Sequence, residues 1–263
     1  TKFPFTQTVS RGIPKQMNTP SVRHILFDLG GTLMHARGDW SPVYERADQA
    51  LGKKLREYNI KVDPKIFRTR VYEYYEQRDK DYQETTYHFV LRELLKELGY
   101  AEIPESVLRS ALDALYSVTQ NNWQLEEDSI VTLQNLKSQN YKLGIFSNAG
   151  DDKDVQELIE NFGIRPYFDF VLTSAACFYR KPHPRAFEIA LAQWNISPNE
   201  AVMVGDSLEA DIYGAKNSGM QTIWITRRAH FKDEDIRRIK PDFSLRKLNE
   251  LLPTLERISI TRV

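Results

Sequence analysis

The chain has 263 residues, 41% hydrophobic and 27% charged, an ordinary balance for a globular protein with room for one large domain or two modest ones. Its 36 basic and 36 acidic residues cancel, which removes the electrostatic reason to expect nucleic acid or an anionic membrane as a partner. One cysteine, Cys177, excludes an internal disulfide and fits a cytoplasmic protein, and no apolar run approaches the ~20 residues that span a bilayer.

Residues 1–20 hold no clean period and no apolar core of a secretory leader, so they read as an N-terminal extension outside the fold, with Met17 a candidate start. Residues 22–28 (VRHILFD) form a β-rich run that ends in an acid and meets glycines at once: a buried strand and a turn. From 34 to 125 no strand-like run stands out. Helical patterns cover about 42–59, 64–83, 85–98 and 104–121, with Pro64 and Pro104 near starts and Gly99 near a stop. Tyr72, Tyr74, Tyr75, Tyr82, Tyr87 and Phe89 crowd this block. Helix packing is their simplest use, and binding of an aromatic or apolar substrate the other.

After residue 125 the texture alternates. A helix at 128–139 leads to a strand at 141–147 (YKLGIFS), and a further strand follows at 168–173 (FDFVLT). A helix at 184–194 opens on Pro184. A strand at 201–205 (AVMVG) runs into Asp206, a helix at 208–218 stops at Gly219, and a strand covers 221–226 (QTIWIT). Strands and helices in this alternation predict an α/β fold, a doubly wound parallel sheet over residues 21–33 and 126–263, interrupted by an all-helical insertion at 34–125. Ligands of such sheets sit at the carboxyl ends of the strands.

Four features fall there: Asp28 in DLGGTL, Ser147 in FSN, Lys181 in RKPHP, and Asp206 in GDSLEAD with Asp211 five residues on. Taken singly, each has a structural explanation: Asp28 a turn residue, Ser147 a cap, Lys181 a surface charge, Asp206 a helix cap. Taken together, in this order and strand context across about residues 22–226, they resemble the motifs of the haloacid dehalogenase (HAD) superfamily, and the helical insertion resembles its C1-type cap. The resemblance implies the strand order 5-4-1-2-3 in a Rossmann-like core. It also implies Asp28 as nucleophile and Mg²⁺ held by Asp28, the Gly30 carbonyl, Asp206 and Asp211. Ser147, Asn148 and Lys181 would bind phosphate. The partner it implies is a small phosphorylated metabolite, with hydrolysis through an aspartyl phosphate.

Elementary chemistry supports these residue types. A carboxylate can attack phosphorus and divide one hard step into two. Positive charge must offset the repulsion between two anions, and hard oxygen ligands suit Mg²⁺. A lysine can hold both nucleophile and phosphoryl oxygens. His183 reads as a loop residue and shares no metal-ligand spacing with His24 or His35.

One departure stands out. Phosphatases of the superfamily usually carry a second aspartate two residues after the nucleophile, which protonates the leaving group; here that position is Gly30. General acid–base catalysis is typically worth ~10²–10⁴-fold. His35, Asp39 or a residue of the helical insertion are the candidates to replace it. The gap keeps two alternatives open: a 2-haloacid dehalogenase, whose first motif resembles DAYGT rather than DLGGT, and a weakly active HAD fold serving in binding or regulation. Substrate choice is expected from the insertion and from the loop at about 34–44, with Arg37, Trp40, Tyr44 and Arg46 as candidate contacts.

Overall fold

A computed structural model describes residues 22–100 and 102–260, so the extension expected at 1–20 lies outside the described residues. Strand β1 (His24–Phe27) is followed by a short strand β2 (Met34–Ala36), then by four helices: α1 (Trp40–Glu57), α2 (Pro64–Asp81), α3 (Tyr87–Glu97) and α4 (Glu105–Thr119). The chain returns through β3 (Trp123–Leu125) into α5 (Ser129–Ser138), β4 (Lys142–Ser147), α6 (Asp152–Asn161), β5 (Phe170–Thr173), α7 (Ser174–Cys177) and α8 (Pro184–Ala192). It closes with β6 (Ala201–Gly205), α9 (Gly214–Asn217), β7 (Gln221–Ile225), α10 (Asp233–Ile239), β8 (Phe243–Leu245) and α11 (Leu251–Ile260).

Six strands form one parallel sheet in the order β5-β4-β1-β6-β7-β8. This is the expected order of five with β8 added at one edge. Helices cover both faces, which is why β1 and β6 read as unbroken apolar runs rather than alternating ones. One core packs Ile25 and Phe27 with Leu133, Leu143, Ile145 and Val204; the opposite face packs Leu26, Phe146 and Met203 against Phe187. Helices α1–α4 keep their own core, in which Leu51, Leu55, Phe67, Leu91, Leu112 and Leu115 are fully or almost fully buried. Among the described residues no helix is long and apolar enough to cross a membrane.

Two expectations need correction. Residues 34–125 are not purely helical at their ends: β2 and β3 pair antiparallel, Met34 with Leu125 and Ala36 with Trp123, and so tie together the two connections between sheet and helices. Three-residue strands are too short to leave a two-residue period in the sequence. The helix expected at 208–218 begins instead as a π-helical turn, Leu208–Tyr213. The Ser207 carbonyl accepts from both the Asp211 and Ile212 amides, at 3.0 and 3.2 Å, and the widened turn is of a kind often found at functional sites.

Helices α2 and α3 are joined to the sheet unit by backbone. Glu84 N–H donates to the Phe178 carbonyl and Arg180 N–H to that of Tyr82, both at 2.9 Å, and Tyr87 N–H donates to the Gly150 carbonyl at 3.0 Å. The buried Glu84 carboxylate is bonded by Arg180 and by Ser174 at the same junction. This docking places the helices over the carboxyl ends of β1, β4 and β6.

Candidate active site

Asp28 follows β1 directly, and its amide donates to the Val204 carbonyl at 2.9 Å, so the sheet itself aims the side chain. The turn after it is tight: Gly31 N–H donates to the Met34 carbonyl at 2.7 Å and Leu33 N–H to that of Leu29 at 2.9 Å. Gly31 adopts φ +86°, and a Cβ there would lie 2.3 Å from Asp206 Oδ2, so glycine is required twice over. Gly30, by contrast, has no positive φ. What stands in its way is Trp123: a Cβ built on Gly30 would come within 3.0 Å of the indole Cη2.

Lys181 is buried, with its Nζ 2.7 Å from Asp28 Oδ1, 2.7 Å from the Phe146 carbonyl and 2.7 Å from Asp211 Oδ1. Asn148 holds the lysine's backbone from both sides, donating to its carbonyl and accepting from its amide, each at 2.9 Å. The Asn148 side chain is therefore spent on positioning Lys181. Ser147, the last residue of β4, opens into the same cavity as Asp28.

Asp206 follows β6. It does not cap the next turn; Ser207 does, its Oγ accepting from Ala210 N–H at 3.1 Å, while Ser207 N–H fixes Asp211 Oδ2 at 3.0 Å. Asp28, Asp206 and Asp211 each offer a carboxylate oxygen, all within 4.8 Å of one another. Three carboxylates face one ammonium. Burial, and then the Asp28 and Asp211 carboxylates, push Asp206 up to about 8. Burial raises Asp28 to about 6 against the pull of Lys181. Burial alone would lower Lys181, but Asp211 and Asp28 outweigh it and hold the ammonium charged. An all-oxygen cluster whose members repel each other this strongly has the chemistry of a hard divalent-cation site.

The cavity holding these groups has a volume of about 480 Å³ and runs up into the helices, where Trp40, Tyr44, Arg68, Tyr75, Tyr87, Tyr116 and Trp123 wall it. Trp40 and Tyr44 were legible as candidates, and Tyr75 and Tyr87 as aromatics of the block. Arg68, Tyr116, Trp123 and the acids Asp151 and Asp154 were not, because no local motif marks a side chain whose role comes from tertiary contact. Other candidates fall outside the walls. His35 lies 3.1 Å from Glu126 and pairs its other ring nitrogen with Gln124, and Asp39 caps α1, so neither lines the cavity to replace an acid at position 30. Arg37 is turned to the Trp123 carbonyl, Arg46 is exposed, and His183 caps α8.

Comparison with known proteins bears on the family and the fold. Residues 61–225 match the family model described as haloacid dehalogenase-like hydrolase. A glyceraldehyde 3-phosphate phosphatase of Pyrococcus furiosus is 31% identical over 238 residues, covering 90% of this chain and 94% of that protein. Among solved structures, a HAD phosphatase from Thermococcus onnurineus is similar at a TM-score of 0.60 and 28% identity, over 89% of this chain and 97% of its own. A 2-haloacid dehalogenase from Pseudomonas syringae shares the fold at a TM-score of 0.66 and 24% identity, over 90% of this chain and 99% of its own.

Proposed function

The chain belongs to the haloacid dehalogenase-like hydrolases, and from that premise we propose that it is a Mg²⁺-dependent phosphatase acting on a small phosphorylated metabolite through an aspartyl phosphate on Asp28. The observation that carries the reading is the cluster of Asp28, Asp206 and Asp211 against Lys181. Attack on carbon in a haloacid needs no cation, and nothing in such a reaction calls for three crowded carboxylates.

In this reading Asp28, the Gly30 carbonyl and Asp206 would hold the cation, with Asp211 ordering the shell and the lysine together. When bound, the ion supplies the positive charge that lets a carboxylate approach an anionic phosphoryl group. Lys181 fixes one oxygen of Asp28 and presents its remaining charge to the phosphoryl oxygens. The Ser147 hydroxyl and backbone N–H groups after β4 donate to those oxygens. Asn148 keeps the lysine in place. With one cysteine, buried, the enzyme suits the reducing cytoplasm.

A panel of phosphate monoesters assayed with Mg²⁺ and with EDTA tests this. Turnover should vanish in EDTA and return with Mg²⁺. Full activity in EDTA together with halide release from a 2-haloacid would overturn the proposal in favour of a dehalogenase.

A further inference from the structure

Resting on the phosphatase reading, we infer that the substrate is a phosphate monoester whose leaving group is a neutral aromatic alcohol, held by an aromatic wall that starts beside Gly30. In an in-line displacement the leaving oxygen stands across phosphorus from the attacking carboxylate, so the organic part of the ester lies in the body of the cavity. That body is aromatic and continuous. Trp123 rests against Gly30, and Trp40 meets it edge-on at 5.0 Å. Trp40 stacks on Tyr44 at 5.2 Å and 18°, Arg68 bridges Tyr44 to the Tyr87 hydroxyl at 3.1 Å, and Tyr87 stacks on Tyr116 at 6.0 Å and 22°. A volume of about 480 Å³ lies within the range of small-ligand sites.

The charges say which aromatic. Among the described residues two cations line the cavity, and both are committed. Lys181 is bound by Asp28, Asp211 and the Phe146 carbonyl. Arg68 is held by both oxygens of Asp48, at 2.8 and 3.1 Å. The other ionisable groups on the walls are acids, including Asp151, paired to Arg109 at 2.7 Å, and Asp154, whose pKa burial raises to about 7. A second carboxylate or phosphate on the substrate would meet no spare cation and would face these acids. Cation–π contact with a cationic leaving group is already taken up at three tyrosines, with Arg68 4.3 Å over Tyr44, Arg78 3.4 Å over Tyr75 and Arg109 5.6 Å over Tyr116, which leaves Trp40 and Trp123 as the rings that phosphocholine would test.

The same wall explains how the bond breaks without an acid at position 30. Asp28 Oδ bonds to phosphorus as the P–O(aryl) bond breaks; the bonding pair leaves on a phenolate, which then takes a proton from water. Water attacks the phosphoaspartate, the bond from phosphorus to Asp28 breaks, and phosphate leaves with Asp28 restored. A phenol ionises near pH 10, far below an alkyl alcohol, so its departure needs the least help.

Two measurements decide it. With Mg²⁺, kcat/KM for phenyl phosphate should exceed those for cyclohexyl phosphate, phosphoglycolate and phosphocholine by about 100-fold or more. Because lability alone could favour the phenyl ester, calorimetry with unreactive phosphonates isolates binding. Benzylphosphonate should bind about tenfold tighter than propylphosphonate, and Trp40→Leu or Tyr44→Leu, whichever keeps a native circular dichroism spectrum, should cut that preference to below about threefold. Phosphoglycolate or phosphocholine as the best ester, or equal phosphonate affinities, overturns the aromatic inference while Mg²⁺-dependent turnover preserves the phosphatase reading. No turnover of any ester with Mg²⁺ overturns both.

Discussion

At the sheet end of the cavity the polar side chains of Asp28, Ser147 and Asp206 sit at or one residue past a strand terminus, whereas the helical end draws its walls from α1, α2, α3, α4, β3 and α6. The first arrangement is fixed by backbone: once β1, β4 and β6 pair in register, these three side chains converge with no further instruction. The second depends on how four helices pack and dock. On the proposed function, chemistry is thereby anchored to the buried sheet, and selectivity is left to side chains of the helices.

The comparison predicts a sharp split between mutants. Asp28→Asn should lower kcat at least about 10³-fold, with the melting temperature kept or raised, because an amide is a poor nucleophile and one buried carboxylate is gone. Tyr44→Leu should change KM for an aromatic ester by about tenfold and leave kcat within a few-fold. A Tyr44 variant as damaged in kcat as Asp28→Asn would erase the distinction between the two ends.

This split also sets what the sequence could tell. The placing of Asp28, Ser147 and Asp206 is legible in strand-terminal positions, because position along a strand end is position in the site; the sheet order and the joining of Lys181 and Asp211 to them are legible only through the family resemblance. Trp123 left no such trace. It reads as one more aromatic after a helix, and its meeting with Gly30 comes only from the pairing of β2 with β3 across the helices and loops of residues 37–122. The obstacle at Gly30 likewise lies in a neighbouring ring and not in the backbone; the positive φ belongs to Gly31.

Neighbouring glycines therefore answer differently. Gly31→Ala places a methyl group 2.3 Å from Asp206 Oδ2 at φ +86°, so activity should fall about 100-fold and the Mg²⁺ concentration for half activity should rise. Gly30→Ala meets only the edge of Trp123, at 3.0 Å, and should retain most activity. Equal losses in a Mg²⁺ titration would contradict the assignment of Asp206 to the cation.

A smaller gain tests whether the missing acid can be restored. Gly30→Asp alone should help little, since Trp123 must give way before the new carboxyl group can turn toward a leaving group. Combined with Trp123→Ala, it should raise kcat/KM for cyclohexyl phosphate about tenfold and change phenyl phosphate much less. An equal rise for both esters would mean that the substitutions act on binding rather than on proton transfer.

The smallest effect concerns Asp154, an acid of the helical end that sits in the first turn of α6. Burial raises its pKa from 3.8 to about 7, opposed by the Gln120 amide, which donates to its Oδ1 at 2.9 Å, and reinforced by the Asp151 carboxylate. The folded state thus keeps a proton that the unfolded chain releases near pH 4. Between about pH 4 and pH 7 the folded state binds more protons, so the cost grows as pH rises and is complete above the folded pKa. Asp154→Asn cannot ionise and keeps the acceptor for Gln120. It should melt with the parent protein near pH 4.5 and several degrees above it at pH 8, on the order of 1–3 kcal/mol. An offset that does not change with pH would show that Asp154 is not held protonated. The same variant bears on the chemistry of the two ends. If no residue replaces an acid at position 30, Asp154→Asn should leave the pH profile of kcat/KM on cyclohexyl phosphate unchanged. Loss of a limb near pH 7 in that profile would make Asp154 the group that moves the leaving group's proton, and would give the helical end a share in catalysis.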